Sequence, residues 1–126
     1  MEIVGLVPVI YVEIDIKPGS YPNSINLGNE GVIPVAILSS SDFDATTVDP
    51  ATVELAGAGV ELRGKSDNAM AHREDVNKDG RIDLVVQITT QNLDPGIGQY
   101  GYATLTGKTY AGLFIEGADE ITIVPK

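Results

Sequence analysis

The sequence predicts an all-β fold: an antiparallel β-sandwich of about seven or eight short strands carrying a calcium loop. Three observations lead there. Apolar residues alternate with polar ones in short runs rich in Val, Ile and Thr, the period of a half-buried strand. The 14 glycines and 7 prolines are spread along the chain and punctuate those runs, as turns do. No apolar pattern of helical period lasts longer than about two turns. With 126 residues and neither repeat nor linker, the chain reads as a single domain, 1–126, with room for a real core.

The elements follow in order. The apolar opening, residues 1–12, reads as a lead-in to a first strand over Val9–Ile16, where Val12, Ile14 and Ile16 alternate with Glu13, Asp15 and Lys17. It lacks a basic n-region and is broken by Glu2 and Pro8, so it is a poor signal peptide. A sharper reading makes it an assembly strand that inserts into a neighbouring subunit's sheet. Pro18-Gly19-Ser20 ends the strand, and the next loop turns Ile25 inward. Val32–Leu38 is a second strand, placed at an edge or bulge because Pro34 lacks a donor. Ser39–Asp49 is a polar excursion anchored by Phe43, with a helical turn near Asp42 capped by Ser40 or Ser41. Asp49-Pro50 starts a turn, and short strands Thr52–Leu55 and Val60–Leu62 flank Gly57-Ala58-Gly59. Ile82–Thr90 is the longest strand, with Leu84, Val86 and Ile88 on one face. Asp94-Pro95-Gly96 turns; Tyr100–Thr106, Lys108–Ile115 and Glu120–Val124 complete the set, with a turn at Gly107 and a stop at Pro125.

The chemistry lies before the Ile82 strand, in Asp75-Val-Asn77-Lys-Asp79-Gly80-Arg81-Ile-Asp83-Leu84. Oxygen-bearing side chains stand two residues apart at Asp75, Asn77 and Asp79, and a fourth carboxylate, Asp83, sits at the ninth position. That is the ligand rhythm of a calcium loop, since calcium takes about six to eight oxygens. Gly80 supplies the sharp turn. Arg81 would ligate through its carbonyl, and Asp83 would close the sphere directly or through a water. Asp67 and Asn68 are weaker additional candidates. A helical calcium loop ends in a bidentate Glu at the twelfth position; here that residue is Val86, and the continuation alternates like a strand. Without a metal the same window reads as an Asp/Asn/Gly-rich hairpin turn.

Ordered motifs then carry a resemblance: Ile14-Asp-Ile-Lys-Pro-Gly-Ser20, Tyr21-Pro-Asn-Ser-Ile-Asn26, Gly31-Val-Ile-Pro-Val-Ala-Ile-Leu38, Phe43-Asp44, Val48-Asp-Pro50, Glu74-Asp-Val-Asn77, Asp79-Gly80, Asp83-Leu-Val85, Leu105-Thr-Gly107, Ile115-Glu-Gly117 and Ile123-Val-Pro125. From Glu13 to Pro125 the chain resembles a widespread module of secreted bacterial and archaeal multidomain proteins. The loop by itself resembles those of dockerins, thrombospondin-type repeats and integrin-like propeller repeats. The resemblance implies an extracellular accessory domain with bound Ca2+ and hands over no activity. Many members carry two cysteines where this chain has Thr104 and Ala118.

Composition narrows the partners. A net charge of −10 disfavours nucleic acid and anionic membrane and suits a cation binder or an extracellular module. The chain has no cysteine, hence no disulfide and no thiol chemistry. No apolar run nears the roughly 20 residues of a membrane span. Catalysis is not expected: His72 is the sole histidine, Ser66 has no nucleophile elbow around it, and Glu74 and Asp75 are adjacent and point to opposite sides. His72 is expected in a loop, hydrogen-bonding near the calcium site. A polysaccharide-binding alternative rests on Tyr100 and Tyr102, on one face of a strand, with Tyr110 on the neighbouring strand as a third stacking ring. The competing reading is a structural or self-assembling module stiffened by calcium.

Overall fold

The computed structural model describes residues 8–64, 68–94, 96–97 and 101–124. Among them every regular element is a strand or a single 3-10 turn, so the fold is all-β. Among the described residues thirteen strand segments occur, five of them pairings only two residues long and eight of them longer.

Two sheets dominate. The first five-membered sheet contains β1 (Val9–Tyr11), β5 (Val48–Leu55), β6 (Ala58–Gly59), β11 (Tyr102–Thr109) and β12 (Phe114–Glu120), in the order β1-β12-β11-β5-β6. The second has four members: β2 (Ile14–Ile16), β4 (Val32–Ile37), β9 (Ala71–Glu74) and β10 (Asp83–Thr89), in the order β2-β4-β10-β9. Two small pairs join β3 (Ser24–Ile25) to β13 (Thr122–Ile123), and β7 (Leu62–Arg63) to β8 (Asn68–Ala69).

The period-two pattern decides which residues go inward. Val53, Leu55, Leu105 and Ile115 from the first sheet meet Ile16, Val35, Ile37, Val86 and Ile88 from the second in one buried cluster. Each such side chain contributes about 1.5–3 kcal/mol by leaving water. As expected, Leu84, Val86 and Ile88 share a buried face of β10, and Ile25 points inward.

Several boundaries move. The expected Val9–Ile16 strand is divided: β1 pairs parallel with β12, whereas β2 pairs antiparallel with β4 in the other sheet. The chain crosses between sheets at Val12, whose N–H still donates to the Glu116 carbonyl. Residues 1–7 of the lead-in lie outside the described residues. β4 is not an edge strand; it runs between β2 and β10. Pro34 is tolerated because β2 ends at Ile16: Lys17, opposite Pro34, donates its N–H to the Pro34 carbonyl, while the Lys17 carbonyl accepts from Ser20 N–H and asks for no donor from Pro34. Gly107 does not turn the chain. β11 runs through it to Thr109 with a bulge against β5, and the turn comes at 110–113, where the Gly112 N–H donates to the Thr109 carbonyl. Pro50 lies within β5 rather than at a turn. The helical turn is Ala45–Thr47, and its cap is Asp44, whose side chain accepts from the Thr46 N–H. β5 and β11 are one residue longer than β10. The stop at Pro125 falls outside the described residues. Thr104 and Ala118 are direct cross-strand partners on β11 and β12.

Candidate metal centre

The Asp75–Asp83 loop joins β9 to β10, two neighbouring antiparallel strands. Its curl is built from alternate residues: Lys78 and Gly80 both take positive φ, 62° and 87°. Only glycine adopts that region freely, so the loop demands Gly80 and tolerates Lys78 at some cost.

The expected ligands are distributed as follows. Asp75 turns both oxygens into the loop: Oδ2 accepts from Gly80 N–H at 2.9 Å and Oδ1 from Asp79 N–H at 3.2 Å. Asn77 Oδ1 accepts from the same Asp79 N–H at 3.3 Å. Two of the expected ligand oxygens therefore converge on one point. Asp79 Oδ1 accepts from Arg81 N–H at 2.8 Å, and its Oδ2 lies 4.0 Å from the Arg81 guanidinium. Each of these oxygens has a second lone pair, so an N–H bond does not consume its capacity to ligate.

Asp83 is set apart. It is fully buried (0% exposed) at the start of β10. Its Oδ1 accepts from Ser39 N–H at 2.8 Å and its Oδ2 from Val76 N–H at 3.1 Å. It thus anchors the base of the loop, while Asp75, Asn77 and Asp79 line its curl. Among the described residues no three His, Cys, Asp or Glu side chains stand together as a metal-holding group. The two converging oxygens come from a carboxylate and an amide, and Asp79 adds a second carboxylate in the same loop; all are hard donors of the kind calcium takes.

Of the additional candidates, Asn68 sits on β8, away from the loop in sequence and paired with Arg63, and Asp67 lies outside the described residues. His72 is on strand β9 rather than in a loop, exposed, with Nε2 3.1 Å from Glu74 Oε1. Ser66 and Tyr100 lie outside the described residues. Tyr102 and Tyr110 are exposed, 50% and 68%, but Tyr110 follows the end of β11 and is not on a neighbouring strand. Tyr102 opens β11 and Tyr110 follows its last residue, so the two stand at opposite ends of one strand.

A scan against protein-family models, a search of curated proteins and a search of solved structures each found no match to this chain. Among the described residues no helix is long and apolar enough to cross a membrane.

Sequence reasoning missed Ser39. Its N–H holds Asp83, its Oγ donates to the Ile82 carbonyl at 2.7 Å, and that Oγ accepts from Ala45 N–H at 2.8 Å. A serine 44 residues away in sequence carries no local signal of that role. Two acidic groups elsewhere are perturbed. Burial, then the charge of Asp119, raises the pKa of Asp15. Hydrogen bonds from the Thr46 hydroxyl and N–H lower that of Asp44.

Proposed function

We propose that this chain is a non-catalytic, calcium-binding β module that acts outside the cell as a structural, assembly or accessory domain. The observation that carries the reading is the convergence of Asp75 Oδ1 and Asn77 Oδ1 on one amide, inside a loop curled by Lys78 and Gly80. In this reading Asp75, Asn77 and Asp79 ligate by side chain and Arg81 by its carbonyl. Asp83 closes the sphere directly or through a water, and its two oxygens also hold the backbone N–H groups at the base of the loop. The cation would offset the mutual repulsion of the loop carboxylates and tie β9 to β10. An exposed loop of this kind suits the millimolar calcium found outside cells, where modules bind with Kd of about 0.1–1 mM. Because β1 already pairs with β12 of its own chain, self-association through the N-terminal strand requires exchange between copies.

Thermal unfolding in millimolar calcium against excess chelator tests the reading. Saturation at about 100 times Kd adds roughly 2.7 kcal/mol, a rise of about 10 °C at this size. Magnesium should give no such rise, and Asp79→Ala should abolish it. An unchanged midpoint, with no calcium in the purified protein by elemental analysis, would overturn the proposal.

A further inference from the structure

Beside the loop lies a cavity of about 730 Å³, walled by the 39–46 excursion on one side and by β9 and the loop's end on the other. That volume is in the range of small-molecule sites. The chain has three arginines, Arg63, Arg73 and Arg81, and two of them, Arg73 and Arg81, line this one cavity. In a chain of net charge −10 such a concentration of guanidinium is notable. Among the described residues no carboxylate comes within 4.0 Å of Arg73, and only the loose 4.0 Å approach of Asp79 meets Arg81. Both forks therefore retain donors for a planar, two-oxygen acceptor, the geometry that guanidinium matches best.

The rest of the wall adds a second requirement. Phe43 and Ile82 supply a small apolar surface, and Ser41 and Asp42 supply hydroxyl and carboxylate partners. Asp44 also lines the wall, but its Oδ1 is committed to Thr46, accepting from N–H at 2.9 Å and from Oγ1 at 2.6 Å. Asp42 is exposed, and an anionic acceptor there favours a ligand rich in hydroxyl donors over a bare anion.

We propose that this cavity binds a saccharide residue bearing a carboxylate, of the uronic-acid type. The carboxylate lies across Arg73 and Arg81, the hydroxyls meet Asp42 and Ser41, and one face of the ring rests on Phe43. The inference stands on the cavity and not on the calcium reading. A peptide carboxylate satisfies the arginines but brings fewer hydroxyl donors to Asp42 and Ser41.

The test is a titration followed by amide chemical shifts of the full chain, with sodium glucuronate and an oligogalacturonate as probes. Glucose, acetate and a glutamate-rich peptide serve as comparators, in calcium and in chelator. The expected result is shifts in the 39–46 segment and β9 with the uronates in at least one buffer, with glucose and acetate at least tenfold weaker. Arg73→Gln and Arg81→Gln should each weaken uronate at least tenfold while leaving the remaining spectrum in place. Uronate binding that persists in the double variant overturns the site. Equal or tighter binding of acetate or the peptide overturns the saccharide. No binding in either buffer overturns the inference whatever the calcium result.

Discussion

Asp83 Oδ1 accepts the Ser39 N–H at 2.8 Å across 44 residues of sequence, and both residues are buried. With the second bond, from Val76 N–H to Oδ2, one carboxylate holds the base of the Asp75–Asp83 loop to the segment that walls the cavity. Asp83→Ala leaves two N–H groups without an acceptor, at about 1–3 kcal/mol each. A loss of roughly 2–5 kcal/mol is expected in chelator from these two bonds alone. Asp83→Asn should recover little, because its amide group can accept only one of the two N–H bonds. Chemical denaturation measures both; a near-neutral Asp83→Ala would remove this role.

Gly117 tests the crossing between sheets. A Cβ there would meet the Val12 carbonyl oxygen at 2.7 Å and Ile14 Cγ2 at 2.9 Å. The backbone oxygen cannot rotate away as a side chain would. Gly117→Ala should cost about 1–3 kcal/mol and make β1 more susceptible to limited proteolysis than β2. Equal susceptibility of the two strands would contradict the clash.

Asp15 sets a pH dependence. Its raised pKa means that the folded state favours the proton more than the unfolded state does. Its contribution is favourable below the ordinary value of 3.8 and is lost as pH rises through the raised value. Asp15→Asn should therefore raise the unfolding midpoint at neutral pH, and the gain should shrink to nothing in acid below the ordinary value. A gain of constant size across that range would exclude titration as its cause. Asp44 has the opposite sign: its contribution is present above 3.8 and disappears as pH falls through its lowered value.

Thr104 and Ala118 invite a cross-link. Directly opposed antiparallel residues lie about 4.5–5.5 Å apart at Cα, within disulfide range. The double variant Thr104→Cys, Ala118→Cys should oxidise to a monomeric disulfide and gain about 3 kcal/mol for a loop of this length. Free thiols after oxidation, by mass shift, would show that the side chains diverge.

The strand class and the face of β10 were legible because period-two alternation is a local property. Ile14, Ile16, Leu84, Val86 and Ile88 all went where the pattern sent them. The curled loop between β9 and β10 was legible for the same reason, since Asp75, Asn77, Asp79 and Gly80 declare their spacing within six residues. What failed was long-range. Nothing near Asp83 announces Ser39, and nothing in Val9–Ile16 announces that two sheets share it. Pro34 misled because its cost depends on where the neighbouring strand ends. Gly107 misled because a bulge and a turn look alike in one dimension. The Arg73 and Arg81 cavity wall was invisible because those arginines reach the 39–46 segment only through the pairing of β9 with β10.

The two outermost segments, β1 and β13, are each held by a parallel partner, β12 and β3. Parallel terminal strands drawn apart by opposite ends slide along each other, so tension loads their bonds together instead of opening them one after another. A chain tethered at both ends would resist pulling through β1 and β12 in that shearing mode. The same three-residue pairing that looks slight at equilibrium would act as a mechanical clamp.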